Sequence, residues 1–361
     1  MKILKNTAVL AAGLMGLLIL PAVASAQTEA LKDEGVQKKA LAATSSTTPN
    51  GWKVKAKVGL TGNLGDNNAN AAAAGAGQEG TTFQVGLVLS LNADFKHNNH
   101  GVETTFNVQH AQSKTPSIDS FIKTQDNLEL ISTYVYRLNN PDWLGPFARF
   151  KFQTQIFKGY AVRDVNYSVD RTNRDGTAVP TEAVNAQSKV SLTGAFEPVL
   201  LRESAGAFAR PFTEDKFKLD AKLGVGAQQI VVRNGFVVAA EDAAASTLTL
   251  RQLDDVQEVG AELELLLSGV AIKDLLSWKF SANFFLPVVT SADDPTPNDP
   301  MNVGKANGFG FLNTDIQAGL SLKIAKWASL DYSLIVKKVP LVVDGFQVIH
   351  GLVLSAGFDI L

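Results

Sequence analysis

The sequence predicts an all-β fold, a transmembrane antiparallel up-and-down β-barrel of about twelve strands. Three observations carry this. Apolar and polar residues alternate with a period of two, in runs far longer than the about five or six residues of an average strand. The connectors between those runs alternate between short and long. Beyond the first 26 residues, no segment has the roughly 18 consecutive apolar residues that a membrane-crossing helix needs, so a membrane can be entered only by strands.

The chain opens with Lys2 and Lys5, an apolar stretch from Ala8 to Leu20, and Ala24-Ser25-Ala26 ahead of Gln27. This reads as a secretory signal peptide over residues 1–26, cleaved after Ala26. Residues 27–51 are polar, lack sustained periodicity and read as a flexible leader on the periplasmic side, leaving 52–361 for the barrel. Without Lys2 and Lys5 the 33 basic side chains become 31 against 35 acidic ones, a net charge of −4, which argues against nucleic-acid binding. The chain has no cysteine, which excludes disulfide scaffolds, thiolate chemistry and a cysteine-linked lipid anchor.

Twelve alternating runs follow, near 52–64, 82–96, 101–112, 121–138, 147–160, 188–210, 216–233, 256–270, 276–290, 309–325, 328–339 and 346–361. In the second, Phe83, Val85, Leu87, Leu89, Leu91, Ala93 and Phe95 share one face, with Gln84, Gly86, Ser90, Asn92 and Asp94 on the other. An even number of runs puts both termini on one side. The short connectors "HNNHG", "NNPDWLGP", "PFTED", "AIKDLL" and "AK" then lie at the periplasmic end, and the long ones, 65–81, 161–187, 234–255 and 291–308, at the outer end. Trp52, Trp143, Trp278 and Trp327 all fall at the periplasmic end, as an aromatic interface girdle requires.

The last run, "HGLVLSAGFDIL", alternates but closes on Leu361 where such strands usually close on an aromatic residue. Segment "FKFQTQIFKGY" (150–160) resembles the F-x-T-Q-F-x-x-G-Y strand of an outer-membrane barrel family best known from Bacteroidetes and catalogued as a domain of unknown function. Looser similarity covers "KTQDNLELISTY", "EPVLLRESAGAFARP", "EVGAELEL" and "LSLKIAKWASLDYSLIV". The N-terminal tryptophan and paired glycines of that family are replaced by "LTGNLGDNNANAAAAG", and its acidic motif after the eleventh strand by "KKVPL". The resemblance implies a porin-like barrel in the outer membrane and no assigned activity.

Four histidines allow a search for chemistry. His97 and His100 sit in a polar turn without a third ligand, so no metal site is expected. His110, with Ser113 and Gln109 as sequence neighbours, has the residue types of a lipid-cleaving set, but no G-x-S-x-G elbow occurs and no enzyme is expected. Glycine pairs such as those in "GVGAQQ" lie inside strands, where small inward positions explain them, and no cofactor is implied.

The polar faces decide the rest. A charged side chain facing lipid at mid-depth costs about 2 to 4 kcal/mol, whereas one facing a wet interior costs almost nothing. Lys53, Lys55 and Lys57 therefore line the lumen, as do Arg149, Lys151, Gln153 and Gln155, Lys218 and Lys222, Glu258, Glu262 and Glu264, and Asp315, Gln317, Ser321 and Lys323. The glutamates read as neutralised by Lys218 and Lys222 on the preceding strand and not as a calcium site. Twelve strands spaced about 4.8 Å and tilted about 40° give a radius of roughly 12 Å, between barrels that side chains fill and barrels with open channels.

The expected protein is a bacterial outer-membrane channel, narrow and charge-lined, for small polar or ionic solutes. A plugged barrel with an anchoring role is the alternative. Expected partners are outer-membrane lipids and, during insertion, the barrel-assembly machinery. Oligomeric state is not legible.

Overall fold

The computed structural model describes residues 50–67, 80–214, 216–242, 246–273, 275–291, 312–325, 327–339 and 343–357. The expected signal peptide, residues 1–26, and nearly all of the expected leader lie outside these, as does much of the connectors at 65–81 and 291–308. The strands are β1 (Gly51–Asn67), β2 (Gly80–His97), β3 (His100–Lys114), β4 (Ile122–Tyr136), β5 (Leu144–Thr154), β6 (Gly159–Ala161), β7 (Tyr167–Thr172), β8 (Ala178–Val184), β9 (Val190–Thr193), β10 (Val199–Glu214), β11 (Phe217–Val231), β12 (Phe236–Asp242), β13 (Thr247–Gln252), β14 (Val256–Ile272), β15 (Leu276–Thr290), β16 (Asn313–Ala325), β17 (Ala328–Val339) and β18 (Val343–Gly357).

Twelve of these hydrogen-bond in the order β1-β18-β17-β16-β15-β14-β11-β10-β5-β4-β3-β2, and β2 pairs with β1, so the order returns on itself as a closed barrel. All pairings within this ring are antiparallel. At the β1–β18 seam the register is Gly59↔Gly357 and Leu60↔Ala356. One end of the ring, the turn end, carries the short connectors; between β2 and β3 the turn is residues 98–99, where Asn98 adopts a positive φ of 51°, a conformation asparagine tolerates in tight hairpins.

Two runs expected as single strands are each divided. The 147–160 run ends as barrel strand at Thr154, and Gly159–Ala161 is separate; the 188–210 run splits into β9 and β10. The cause lies at the other end of the ring. The described parts of residues 155–198 and 232–255, of which 161–187 and 234–255 were expected as long loops, fold there into a two-stranded sheet β6-β9 and a four-stranded sheet β12-β13-β7-β8. We call this part the cap.

Alternation continues in the cap: Tyr167 and Val169 on β7 and Leu248 and Leu250 on β13 turn inward, joining Ala161, Val184, Val190 and Leu192 in one apolar core with Phe236 and Val238 against it. The join between the two loops is parallel, Ser168↔Thr247 through Arg251↔Thr172, so neither loop buries its apolar face alone. Burial raises the pKa of the Tyr167 phenol, whose hydroxyl has no hydrogen-bond partner among the described residues.

An aspartate at Leu250 puts an unpaired carboxylate in that core, a change of about 3 to 5 kcal/mol, which is enough to open a small sheet. The expected outcome for Leu250→Asp is rapid tryptic cleavage at Arg171 or Arg174 with the twelve-strand ring still resistant, followed by limited proteolysis and mass mapping. Uniform resistance would show that the cap does not rest on this core.

Candidate functional site: the inner face of the barrel

Burial in the ring is inverted relative to a water-soluble protein. The outward residues Leu223, Val225 and Val288 are 62%, 66% and 77% exposed, while the inward Ser90, Gln109 and Glu262 are 0%, 0% and 2% exposed. Period-two alternation produces this on each strand: on β2 the exposed Phe83, Val85, Leu87 and Leu91 interleave with the buried Gly86, Val88 and Ser90. Glu203 is an exception, an exposed carboxylate between Leu201 and Ala205 on the outer face of β10, toward its cap end.

The inner face carries one continuous chain of ion pairs and hydrogen bonds. The Arg210 guanidinium on β10 donates to both oxygens of Glu103 on β3 and, from Nε, to Asp220 on β11 at 2.8 Å. Asp220 lies 3.0 Å from Lys222 Nζ, which donates to Glu264 on β14 at 3.1 Å. Arg149 on β5 donates to Glu264 and Glu262 together. Glu262 also faces Arg202 on β10 at 3.6 Å; Arg202 Nε donates to Gln228 at 2.8 Å, and Gln228 Nε2 donates to Glu258 at 3.0 Å. Four cations, Arg149, Arg202, Arg210 and Lys222, thus face five carboxylates, Glu103, Asp220, Glu258, Glu262 and Glu264.

Arg149 reaches a strand three places away because the positions between are small. The register row that ends on Glu262 runs Phe147↔Gly206↔Gly224↔Glu262 across β5, β10, β11 and β14, which leaves two glycines on the intervening strands. A Cβ at Gly206 would stand 2.1 Å from the Leu223 carbonyl oxygen, and one at Gly224 2.3 Å from that of Ala205. Any other residue there forces the strands apart.

Apolar groups pack beside this network in two places. Toward the turn end Val135, Phe147 and Phe208 pack together, with the Arg210 guanidinium 5.4 Å over the Phe208 ring. Toward the cap Ile230, Val232 and Val256 pack with Leu200 and Leu253. Arg202 lies 4.7 Å over the Phe285 ring, a cation–π contact that also fixes its direction.

Of the residues expected on the inner face, Arg149, Lys222, Glu258, Glu262 and Glu264 come together in this network. Lys151 pairs with Glu129 at 3.2 Å. Lys53 and Lys55 stand opposite Asp94 and Asn92 in the β1–β2 register, and Lys57 opposite Ser90, its side chain lying outside the described ones. Asp315 receives Gln317 Nε2 at 2.6 Å, and Ser321 donates to Asp331. Lys218 is half-buried opposite Thr213 and Ser268.

Three expectations need correction. The glutamates of β14 are met chiefly by Arg149 and Arg202, with Lys222 on Glu264 alone, so neutralisation comes from farther than the adjacent strand. Lys323 is exposed, next to the turn end, where its backbone N–H donates to the Leu275 carbonyl at 2.8 Å; it is a rim residue. Gln155 lies past the end of β5 and accepts from Lys123 at 2.9 Å, beside an outward cluster and off the inner face. Arg202, Arg210, Glu103 and Glu129 were not singled out from sequence. Their signal was parity: Arg202 and Arg210 alternate with Ser204 and Phe208 on the buried face of β10.

His110 and Ser113 stand on opposite faces of β3. Ser113 and Gln109 are buried inward, while His110 is opposite the outward Leu87 and meets Phe157 edge-on at 4.7 Å between centroids. The lipid-cleaving set is therefore not assembled. In the β2–β3 turn His100 Nδ1 is 2.7 Å from the Tyr134 hydroxyl, and His97 Nε2 lies 3.4 Å from Asn98. Trp52, Trp143 and Trp327 are exposed and Trp278 is half-buried, all four at the turn end. Aromatic neighbours extend the set: Trp52–Phe95 at 5.0 Å, Phe212–Phe217 at 5.6 Å and Phe217–Trp278 at 6.2 Å.

A family profile described as "Protein of unknown function (DUF3078)" matches residues 73–160. No curated protein matches the chain. Solved structures similar to it include the COG4313 outer membrane channel from Pseudomonas putida F1, at 11% identity, covering 91% of this chain and 100% of that one with a TM-score of 0.39. The translocator domain of the autotransporter NalP from Neisseria meningitidis is similar at 11% identity, with 89% and 93% coverage and a TM-score of 0.39. The toluene transporter TodX from Pseudomonas putida is similar at 12% identity, with 93% and 95% coverage and a TM-score of 0.32.

Proposed function

We propose that the twelve-strand ring spans the outer membrane of a Gram-negative bacterium and that its inner face lines a narrow passage for small polar or ionic solutes. The inverted burial carries the reading. An apolar outer surface around a polar, charged interior is what a bilayer on one side and water on the other select. Aromatic residues gathered at the turn end support placing the periplasmic interface there, with the cap outside the cell.

The interior supports passage over storage of charge alone. Asn107 Oδ1, Gln109 Nε2 and Asn127 Nδ2 are buried on the inner face with no hydrogen-bond partner among the described residues, where a filling built only to seal the ring would pair them. The ion network occupies the wall from β3 through β14, so solutes pass along the remaining arc, past Lys53, Lys55, Asn92 and Asp94. Passage, not catalysis, is the role these residues suit, with lipids and the assembly machinery as partners of insertion.

One observation favours a second reading. Arg149 and Arg210 bridge strands three places apart beside packed apolar clusters, which is also how a plugged barrel with an anchoring role would be built. Planar-bilayer recording of the purified protein separates the two. The expected result is small, uniform conductance steps that change with salt; silence at every voltage and salt concentration would favour the plugged barrel.

A further inference from the structure

Resting on the membrane-spanning reading, the geometry points to a binding surface for the phosphorylated headgroup of an outer-leaflet lipid on the outer wall of the barrel, at the cap end of β3. The outward residues there are His110, Gln112 and Lys114. Lys114 is exposed and stands directly across from the exposed Phe83, whose ring meets the exposed Phe121 edge-on at 6.5 Å. Four residues along the strand, about 13 Å away, the exposed Phe157 meets His110 edge-on and presents the exposed Lys158 beside it. Two ammonium groups thus sit among three exposed aromatic rings, continuous with the apolar outer face of β2.

Phe157 reaches this place because the chain leaving β5 folds over the outer wall. Asp126 on β4 accepts from the backbone N–H of Ile156 at 3.1 Å and of Phe157 at 2.7 Å. Lys123 donates to Asp126, to Gln155 Oε1 and to the Phe157 carbonyl at 2.9 to 3.0 Å, so its charge is spent on this staple. Lys114 and Lys158 are not needed for the staple, and the exposed carboxylate in the patch is Asp119, whose N–H is held by Gln187 at 3.1 Å.

The chemistry selects the ligand. Exposed rings at the rim suit acyl chains near their headgroups, and ammoniums just above suit phosphate. The cap end at β11–β14 differs: there the exposed Asp254 and Asp255 face Arg174 at 3.9 and 3.6 Å, a sector with no surplus of cations.

The test uses the full mature protein folded in neutral detergent micelles and titrated with diphosphorylated lipid A, with the same lipid dephosphorylated, or with inorganic pyrophosphate. The readout is the temperature at which heat-modified gel migration reverts. The expected result is a rise in that temperature with lipid A. Its half-maximal concentration increases about tenfold both in Lys114→Ala/Lys158→Ala and when the phosphates are removed.

Equal responses to the two lipids, or an unchanged response in the double variant, overturn the proposal. An equal rise with pyrophosphate alone overturns it in favour of a free-phosphate site. Folding of each variant is read from its heat shift without lipid, and the glutamine pair Lys114→Gln/Lys158→Gln replaces the alanine pair where that shift is lost. A wild-type protein with no heat shift at all would instead refute the barrel reading.

Discussion

Replacing Arg149 by alanine is expected to destabilise the barrel by about 3 to 5 kcal/mol, read as a shift of the unfolding transition in urea or guanidinium. The reason is geometric. Arg149 donates to two carboxylates at once, and the Glu262 side chain is almost wholly removed from water. Deleting one guanidinium leaves Glu262 with Arg202 and Glu264 with Lys222, each beside the Asn283 amide, in place of the cation they share.

Lysine in the same place is a further test. It keeps the charge but not the forked donor pair that spans Glu262 and Glu264, so Arg149→Lys is expected to recover less than half of the loss. Adding Glu262→Gln to Arg149→Ala should restore part of it, because the amide carries no charge to strand. If Arg149→Ala lies within about 1 kcal/mol of wild type, the network contributes no more than exposed ion pairs do.

Leu223→Lys is expected to cost about 2 to 4 kcal/mol for the protein in phosphatidylcholine vesicles. Leu223 lies midway along β11, points outward and is 62% exposed. On a water-facing surface such a change stays within about 0.5 kcal/mol, so the measurement distinguishes bilayer from solvent as the outer environment. The neighbouring Lys222, one residue away on the opposite face, is already a lysine that the fold accommodates through Glu264 and Asp220. An effect below about 0.5 kcal/mol would refute the outer-face assignment.

The barrel strands are legible because period two is a local property. The runs at 276–290 and 328–339 coincide with β15 and β17, and most others differ by a few residues at their ends. The network was less legible because its partners are set by the ring and not by the chain. Arg149 and Glu264 are separated by 115 residues, and their contact depends on two glycines on two intervening strands. Parity placed each residue on the inner face; it could not say which would meet.

The cap was hidden for a different reason. "YSVDRT" and "TLTLRQ" are six-residue alternations, short enough to pass for loop, and polar residues flank both. Their apolar halves make sense only once Ser168 and Thr247, 79 residues apart, are brought side by side. A parallel pair formed by two separate connectors leaves no trace in either one.

That parallel join also fixes an order of events. β13 lies beyond β10 and β11 in the chain, so β7, paired with β8 within its own connector, gains its second neighbour only when both of those strands are in place. During insertion the first of the two connectors precedes the second, and Tyr167 and Val169 lack the cover of Leu248 and Leu250 until β13 arrives. The cap sheet is therefore completed only after β10 and β11, and its completion ties the connector between β5 and β10 to the one between β11 and β14, so that these strands can no longer be withdrawn one hairpin at a time.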